Sequence, residues 1–334
     1  MNTTEHKVYY QDSTNMEEIA DNSIDLIVTS PPYPMIEMWD KSFGEMNCKI
    51  KSALENKNGE LAFELMHKEL NKIWKESYRV LKEGGFLCIN IGDATRKLGK
   101  NFRLYPNHSK IINKCLAMGM YNMPNILWRK PTNSPTKFMG SGMLPPGAYV
   151  TLEHEYILIF RKGNRRKFTP KEKIKRKESA YFWEERNQWF SDVWFDLKGT
   201  EQALNHKNLR KRSAAFPLKL PYRLINMFSI KNDTILDPFL GTGTTTLASI
   251  ITERNSIGYE ISPNFKPVIE KNIANANCIG NKILKNRIKK HENFVEKRLD
   301  SDKSFKYKME EYSLPCISKQ EKKILLSQIA RIQH

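Results

Sequence analysis

The chain has 334 residues and a formal net charge of +18, because 55 Lys and Arg face 37 Asp and Glu. Hydrophobic residues make up 40% of it, enough for a sizeable core and too many for a globally disordered chain. The charge excess predicts a polyanionic partner, with nucleic acid first and an anionic membrane surface second, and a merely basic enzyme is the alternative.

Several classes of protein are excluded. No apolar run approaches the ~20 residues that span a bilayer, and the N-terminal segment has no signal-peptide core. The cysteines show no CxxC pairing, so we expect reduced thiols in a cytoplasmic protein, with neither a zinc site nor a disulfide frame. They are Cys48, Cys88, Cys115, Cys278 and Cys316.

In the first part of the chain, strand and helix patterns alternate. "KVYYQDS" predicts a short strand ending near Asp12, and "TNMEEIADNS" predicts a short helix. "IDLIVTS" is the continuous apolar pattern of a strand buried on both faces. Residues 61–81 predict a helix, which we expect Gly84 and Gly85 to end before the strand "FLCINIG".

The buried strand "IDLIVTS" ends in an unusual way. It runs directly into Ser30, Pro31, Pro32 and Tyr33, and neither proline has an N–H to continue a sheet. The sequence therefore predicts a rigid turn at a strand end, carrying a hydroxyl and an aromatic ring.

The pattern continues through a helix, "HSKIINKCLAMG", and two strands, "MPNILWRK" and "VTLEHEYILIFRKG". His154 and Glu155 are best explained as a strand-end pair that satisfies local hydrogen bonds, and Asp93 is a candidate lining residue for a base pocket. Regular signals return with the helix "PLKLPYRLINMFS", the strand "DTILDPF", the helix after "GTG" and the strand "NSIGYEIS". This alternation predicts a doubly wound, mostly parallel α/β sheet.

A glycine-rich turn follows the strand "DTILDPF". Gly241 and Gly243 stand between a strand and a helix, where a ligand can approach the backbone near a helix N-terminus. The turn lacks the Gly-Lys-Ser/Thr of a P-loop and the third glycine of a dinucleotide fingerprint. Glu260 ends the next strand, at the spacing at which an acid reaches ribose hydroxyls. The combination indicates a nucleoside cofactor without a pyrophosphate; the alternative is a plain turn with an exposed acid.

Together, "TSPPY" and "DPFLGTGTT" resemble the β class of amino-methylating, AdoMet-dependent DNA methyltransferases, in which the catalytic motif precedes the cofactor motif. The resemblance covers most of residues 7–262 and includes "VTLEHEYILIFRKG", "SDVW" and "SAAFPLKLPYRLI". It implies a Rossmann-like methyltransferase fold with circularly permuted motif order. It also implies S-adenosyl-L-methionine (AdoMet) as cofactor and double-stranded DNA as substrate.

The resemblance also implies roles for individual residues. The turn of residues 30–33 would hold the target amine, with Tyr33 stacked on a base rotated out of the duplex. Asp237 would lie near the methionine ammonium, Glu260 would bind the ribose and Asp12 would accept from the adenine. The full expected cofactor set is Asp12, Ser213, Phe216, Pro217, Asp237, Pro238, Phe239, Gly241, Gly243, Thr244, Thr245 and Glu260. No metal is expected, because the methyl group of a sulfonium is already activated.

The expected activity is methylation of cytosine N4, since Ser at the first motif position accompanies that target in the family. The runner-up is adenine N6, because both amines need the same kind of acceptor. An RNA base methyltransferase and a catalytically dead DNA-binding protein are further alternatives. We expect the protein to be the protective half of a restriction–modification pair, with a nuclease as a possible partner.

A basic segment separates the two halves of the predicted fold. Residues 161–177 hold ten Lys and Arg with one Glu, and "YFWEERNQWF" follows. We predict a target-recognition insert at residues 161–212, between a catalytic half (1–160) and a cofactor half (213–274). A solvated linker is the alternative, and the basic extension at 275–334 is a rival site. The expected DNA-binding residues are Arg165, Arg166 and Lys167 for phosphates, and Arg186 and Gln188 for bases.

Overall fold

A computed structural model of the chain describes residues 3–130, 142–197 and 216–329. Its strands are β1 (His6–Tyr9), β2 (Ile24–Thr29), β3 (Leu81–Ile91), β4 (Ala94–Leu98), β5 (Asn101–Tyr105), β6 (Met120–Asn122), β7 (Ile126–Arg129), β8 (His154–Lys162), β9 (Val193–Trp194), β10 (Thr234–Asp237), β11 (Asn255–Tyr259), β12 (Tyr307–Lys308) and β13 (Pro315–Cys316). Its α-helices are α1 (Asp40–Met46), α2 (Cys48–Glu55), α3 (Gly59–Val80), α4 (Asn107–Ala117), α5 (Pro170–Glu178), α6 (Trp183–Trp189), α7 (Lys219–Phe228), α8 (Thr244–Ile251), α9 (Lys266–Ala274) and α10 (Ala276–Leu299).

Nine of these strands form one sheet, in the spatial order β1-β11-β10-β2-β3-β8-β7-β9, with β6 also paired to β8. Strands β1, β11, β10, β2 and β3 pair in parallel, and β8 runs antiparallel to β3 and β7. The prediction of a doubly wound, mostly parallel sheet is therefore confirmed.

Strand β2 explains how both faces of the sheet are covered. All six of its residues are buried. Ile27 belongs to the core beneath α1 to α4, whereas Leu26 and Val28 belong to the opposite core, with α7 and α8. This follows from the two-residue period of a strand, and it confirms that "IDLIVTS" is buried on both sides.

Two local predictions were wrong. The segment "TNMEEIADNS" forms turns rather than a helix; the Asp12 carboxylate accepts from the Thr14 amide, a side-chain bond that competes with helix formation. Helix α3 ends at Val80, before the glycines, and β3 begins at Leu81 and runs through them.

The order of the strands defines where a ligand binds. From β10 the chain continues to β11 on one side, and from β2 it continues to β3 on the other, so the connections diverge between β10 and β2. Open α/β sheets bind ligands at such a point, beyond the carboxyl ends of the strands. We call this side of the sheet the active edge.

The C-terminal part of the chain packs against the segment after β8. Helix α10 contacts α8, and its His291 ring stacks on Phe182 and contacts the Glu184 carboxylate 2.9 Å away. Phe182 is buried with Met309 and other residues that follow α10. Among the described helices, none has the length and apolar character needed to cross a membrane.

Candidate active site

The turn of residues 30–33, which we call the SPPY turn, follows β2 at the active edge. Its hydroxyls form a chain: the Ser30 hydroxyl donates to the Tyr33 oxygen (3.3 Å), and the Tyr33 hydroxyl donates to Glu155 Oε2 (2.9 Å). Lys130 Nζ donates to the other Glu155 oxygen over 2.6 Å. Burial, and secondly the Glu155 charge, raise the pKa of Tyr33 well above its usual value, so Tyr33 remains a donor.

Two asparagine side chains hold the SPPY turn in place through hydrogen bonds. Asn90, buried at the end of β3, donates to the Tyr33 oxygen (2.8 Å) and to Glu155 Oε2 (2.7 Å). Asn107, buried at the start of α4, donates to the carbonyls of Pro34 (3.1 Å) and Gly92 (2.9 Å). These contacts hold the turn at its polar atoms, in addition to the φ restriction of its prolines.

Gly92 makes room for the Tyr33 ring. A Cβ at this glycine would lie 3.0 Å from Tyr33 Cε2, so the ring would have to shift by a few tenths of an ångström. The ring therefore packs directly on the backbone that follows β3.

The SPPY turn is tied to the cofactor half through the residue before it. The Thr29 hydroxyl donates to Asp237 Oδ1 and the Thr245 hydroxyl donates to Asp237 Oδ2, each over 2.6 Å. Burial raises the Asp237 pKa to about 6, although these two bonds and a third from the Phe239 amide oppose the shift. Asp237 thus connects β2, β10 and α8 in one rigid unit.

The two glycines of the cofactor turn differ. Both have a left-handed backbone, with φ of 54° at Gly241 and 80° at Gly243. A Cβ at Gly241 would meet no atom closer than 4.0 Å, whereas at Gly243 it would lie 3.2 Å from the Ile269 side chain. Gly241 therefore leaves open space for a ligand. A side chain at Gly243 would press on α9, and the expectation that both glycines admit the cofactor stays a prediction.

Glu260 stands one residue beyond β11 and faces the same turn. Its carboxylate accepts from the amides of Gly241 and Ser262, 2.9 Å each. Burial is the largest cause that raises its pKa, to about 7, and the Asp237 charge adds to the shift. Each carboxylate oxygen retains a lone pair for a ligand hydroxyl.

The other residues expected at the cofactor site lie along this edge with different accessibility. Phe216, Pro217, Pro238 and Thr245 are buried, Phe239 and Thr244 are half-buried, and Asp12 is exposed after β1. The Thr245 hydroxyl donates to Asp237, whereas the Thr244 hydroxyl does not. Ser213 lies outside the described residues.

The predicted DNA-binding residues lie elsewhere. Because β8 is antiparallel, the chain leaves it at the edge opposite the SPPY turn, where the Arg166 backbone contacts Gly84. Arg166 is held by Asp233 (2.7 Å) and Glu172 (2.7 Å), and these hydrogen bonds outweigh burial and raise its pKa. Gln188 donates to Asp196. Arg165, Lys167 and Arg186 are exposed.

Three further candidates have defined partners. Asp93 contacts the His108 ring at 2.7 Å, and that ring stacks on Tyr156 at 4.1 Å. His154 packs edge-on against Tyr156. Glu155, which we expected to satisfy only local bonds, instead reaches the SPPY turn.

Sequence reasoning missed Thr29, Asn90, Asn107 and Lys130. All four lie at or beyond the ends of predicted elements, and this position was the only available signal. Their partners are distant in sequence, such as Thr29 and Asp237, so no local pattern could identify them.

Known proteins resemble this chain over most of its length. The family model described as N6/N4 DNA methylase matches residues 24–271. The type II methyltransferase M.MthZI of Methanothermobacter thermautotrophicus is 55% identical over 325 residues, 97% of this chain and 90% of that protein. The type II methyltransferase M.MjaI of Methanocaldococcus jannaschii is 53% identical and covers 81% of this chain and 92% of its own.

Solved structures give the same result. TTHA0409 from Thermus thermophilus, complexed with S-adenosyl-L-methionine, superimposes with a TM-score of 0.63 at 29% identity, covering 81% of this chain and 94% of that one. The cytosine-N4-specific PvuII DNA methyltransferase gives 0.56 at 18% identity, covering 84% and 93%, and shares the fold.

Proposed function

The chain belongs to the N6/N4 amino-methylating DNA methylase family, and from this premise we propose that it methylates N4 of cytosine in duplex DNA. AdoMet is the methyl donor. The two archaeal relatives are type II methyltransferases, which supports a role as the protective half of a restriction–modification system. A nuclease acting on the same site would then be its partner.

The observation that carries transfer to an exocyclic amine is the direction of the hydroxyl chain, and the choice of cytosine N4 follows from Ser30 at the first position of the motif. Ser30 donates to Tyr33, and Tyr33 donates to the Glu155 carboxylate. The Ser30 hydrogen is therefore engaged, and both its lone pairs remain for an incoming N–H. Donation toward a carboxylate also polarises the chain and strengthens Ser30 as an acceptor.

An exocyclic amine needs such acceptors. Its lone pair is delocalised into the base, and hydrogen bonds from its N–H groups to Ser30 Oγ and the Pro31 carbonyl favour a more tetrahedral, nucleophilic nitrogen. The same acceptors stabilise the positive charge that develops on nitrogen during transfer. The base must leave the duplex stack to reach them, and Tyr33 provides a ring against which it can lie.

The cofactor side fits a nucleoside with a charged amino-acid tail. The open space above Gly241 admits a ligand, Glu260 can accept from ribose hydroxyls, and the first turn of α8 can hold a carboxylate. Bound AdoMet supplies a methyl group activated on sulfur. Thr29, Asp237 and Thr245 hold the distance between this side and the SPPY turn, so the main protein contribution is orientation.

The proposal is tested by identifying the product. The protein is incubated with methyl-labelled AdoMet and duplex DNA, and the DNA is digested to nucleosides that are separated chromatographically. Label in N4-methyldeoxycytidine supports the proposal. Label in N6-methyldeoxyadenosine would replace cytosine N4 by adenine N6 as the target, and label only with an RNA substrate would contradict DNA methylation.

A further inference from the structure

A large groove lies at the edge of the sheet opposite the SPPY turn. Its walls are the start of β3, the end of β8, helices α5 and α6, the end of α7 and residues 310–323. Its volume of about 1380 Å³ exceeds the roughly 300–1,000 Å³ of typical small-molecule pockets. The six residues of β2 separate the two edges by about 20 Å. We call this feature the basic groove.

The groove is lined by many cations and few acids. The cations are Arg161, Arg165, Arg166, Lys173, Arg176, Lys177, Arg186, Lys319, Lys322 and Lys323, and the acids are Glu310 and Glu321. Arg166 is neutralised by Asp233 and Glu172, and Lys322 and Lys323 lie 3.6 and 3.8 Å from Glu310. The other seven cations have no ion pair with any residue that the structure describes, so the groove strongly favours a polyanion.

Aromatic side chains line the same groove. They are Phe86, Phe168, Tyr181, Trp183, Phe190 and Phe228. Trp183 and Phe190 are each 41% exposed, so both rings are accessible to a ligand in the groove. The Arg176 guanidinium lies over the Phe168 ring, 4.6 Å from its centre. Exposed rings between unpaired cations are the arrangement with which proteins bind unpaired nucleotides, because bases stack on rings and phosphates meet the cations.

We propose that the basic groove is a second nucleic-acid site, which binds a single-stranded segment through base stacking on Trp183 and Phe190. A duplex covers its base faces and would meet only the cationic rim. An acidic peptide would satisfy the charge but not the exposed rings. The site does not depend on methyl transfer, since none of its residues belongs to the active edge.

Fluorescence anisotropy with a labelled oligothymidine of about 12 nucleotides tests the proposal. We expect the triple variant Lys173→Gln, Lys177→Gln and Lys319→Gln to bind it roughly tenfold or more weakly. The salt dependence should fall by about two units of log–log slope, since each phosphate contact on a single strand contributes about 0.7. Trp183→Ala should weaken binding by roughly tenfold while leaving the salt slope unchanged.

The matched control neutralises exposed cations of α2 and α3, which also have no ion pair among the described residues: Lys49→Gln, Lys68→Gln and Lys75→Gln. This variant should keep wild-type affinity and slope. Single-turnover methylation of a short blunt-ended hairpin duplex should be equal in all variants, which separates this proposal from the proposed function.

Three results would overturn the second site. The groove variants could bind oligothymidine as tightly as the control variant does. Polyglutamate could compete as well as the oligonucleotide, which would assign the groove to an acidic protein. Hairpin methylation could fall in parallel with oligothymidine binding, which would place the groove on the path of the target duplex.

Discussion

The active edge and the basic groove are built on opposite principles. At the active edge, charged groups have partners: Lys130 lies 2.6 Å from Glu155, and His108 lies 2.7 Å from Asp93. In the groove, seven cations have no ion pair within the described chain, and two large rings face solvent. The comparison indicates that methyl transfer depends on side chains whose charges and hydrogen bonds are paired, whereas binding of a polyanion depends on cations that have no ion pair. Rate and polyanion affinity should therefore respond to different substitutions.

The largest expected effect separates the active edge from the groove. Ser30→Ala removes one acceptor of the target amine but leaves the Pro31 carbonyl. We expect the single-turnover rate to fall on the order of 10²–10³, by analogy with the loss of one oxyanion-hole donor. Affinities for AdoMet and oligothymidine should be unchanged. A wild-type rate would mean that Ser30 is only a turn residue.

Glu155→Gln tests whether the hydrogen bonds that continue from Ser30 to Glu155 contribute to the rate of methyl transfer. The amide loses the charge that orients both hydroxyls, and we expect a rate loss of roughly tenfold to a hundredfold with little change in AdoMet affinity. Glu153→Gln is the matched control, because Glu153, two residues before Glu155, pairs with Arg129 and contacts neither hydroxyl. Equal rates for the two variants would reduce Glu155 to a structural residue.

The two glycines of the cofactor turn should respond differently to the same substitution. Asn tolerates a left-handed backbone better than most residues. Gly241→Asn would fill the open space, and we expect AdoMet affinity to drop roughly tenfold with the melting temperature nearly preserved. Gly243→Asn would press on Ile269 and should lower the melting temperature instead. Calorimetry and thermal melts on both variants measure the contrast, which the reverse pattern would contradict.

The smallest expected effect is a pH dependence. The pKa of Glu260 is raised to about 7 and that of Asp237 to about 6, so the native state holds protons that the unfolded chain has lost. Stability from these groups is full below about pH 4 and is lost as pH rises through 6 and 7. Ribose hydroxyls favour the Glu260 carboxylate, so AdoMet affinity should rise less than tenfold from pH 6 to 8. Isothermal titration should show a flat profile in Glu260→Gln, and an undiminished slope would contradict this role.

Much of this architecture follows from the sequence. The apolar run of β2, the two turns and the alternation of strands and helices predict the fold and the meeting of Ser30 with Gly241 at one edge. These features depend on short-range patterns, which the chain displays directly. Local side-chain competition was missed at residues 14–23, where a hydrogen bond to Asp12 competes with the expected helix.

The position of the basic run could not be predicted in this way. Composition marks residues 161–177 as cationic, but their place depends on the direction of β8. A parallel β8 would have brought Arg165 to the active edge, whereas the antiparallel strand takes it to the opposite side. The roles of Thr29, Asn90 and Glu155 could not be predicted for the same reason, because hydrogen bonds between distant segments leave no periodic pattern in the sequence.

The measurement that tests the central claim most directly is nucleoside mass spectrometry of genomic DNA from a methylation-deficient bacterial host that expresses the protein. We expect N4-methyldeoxycytidine with the wild-type chain, a comparable amount with the triple variant at Lys173, Lys177 and Lys319, and almost none with Ser30→Ala. N6-methyldeoxyadenosine in its place, or undiminished N4-methyldeoxycytidine with Ser30→Ala, would contradict methylation of cytosine N4 at the SPPY turn.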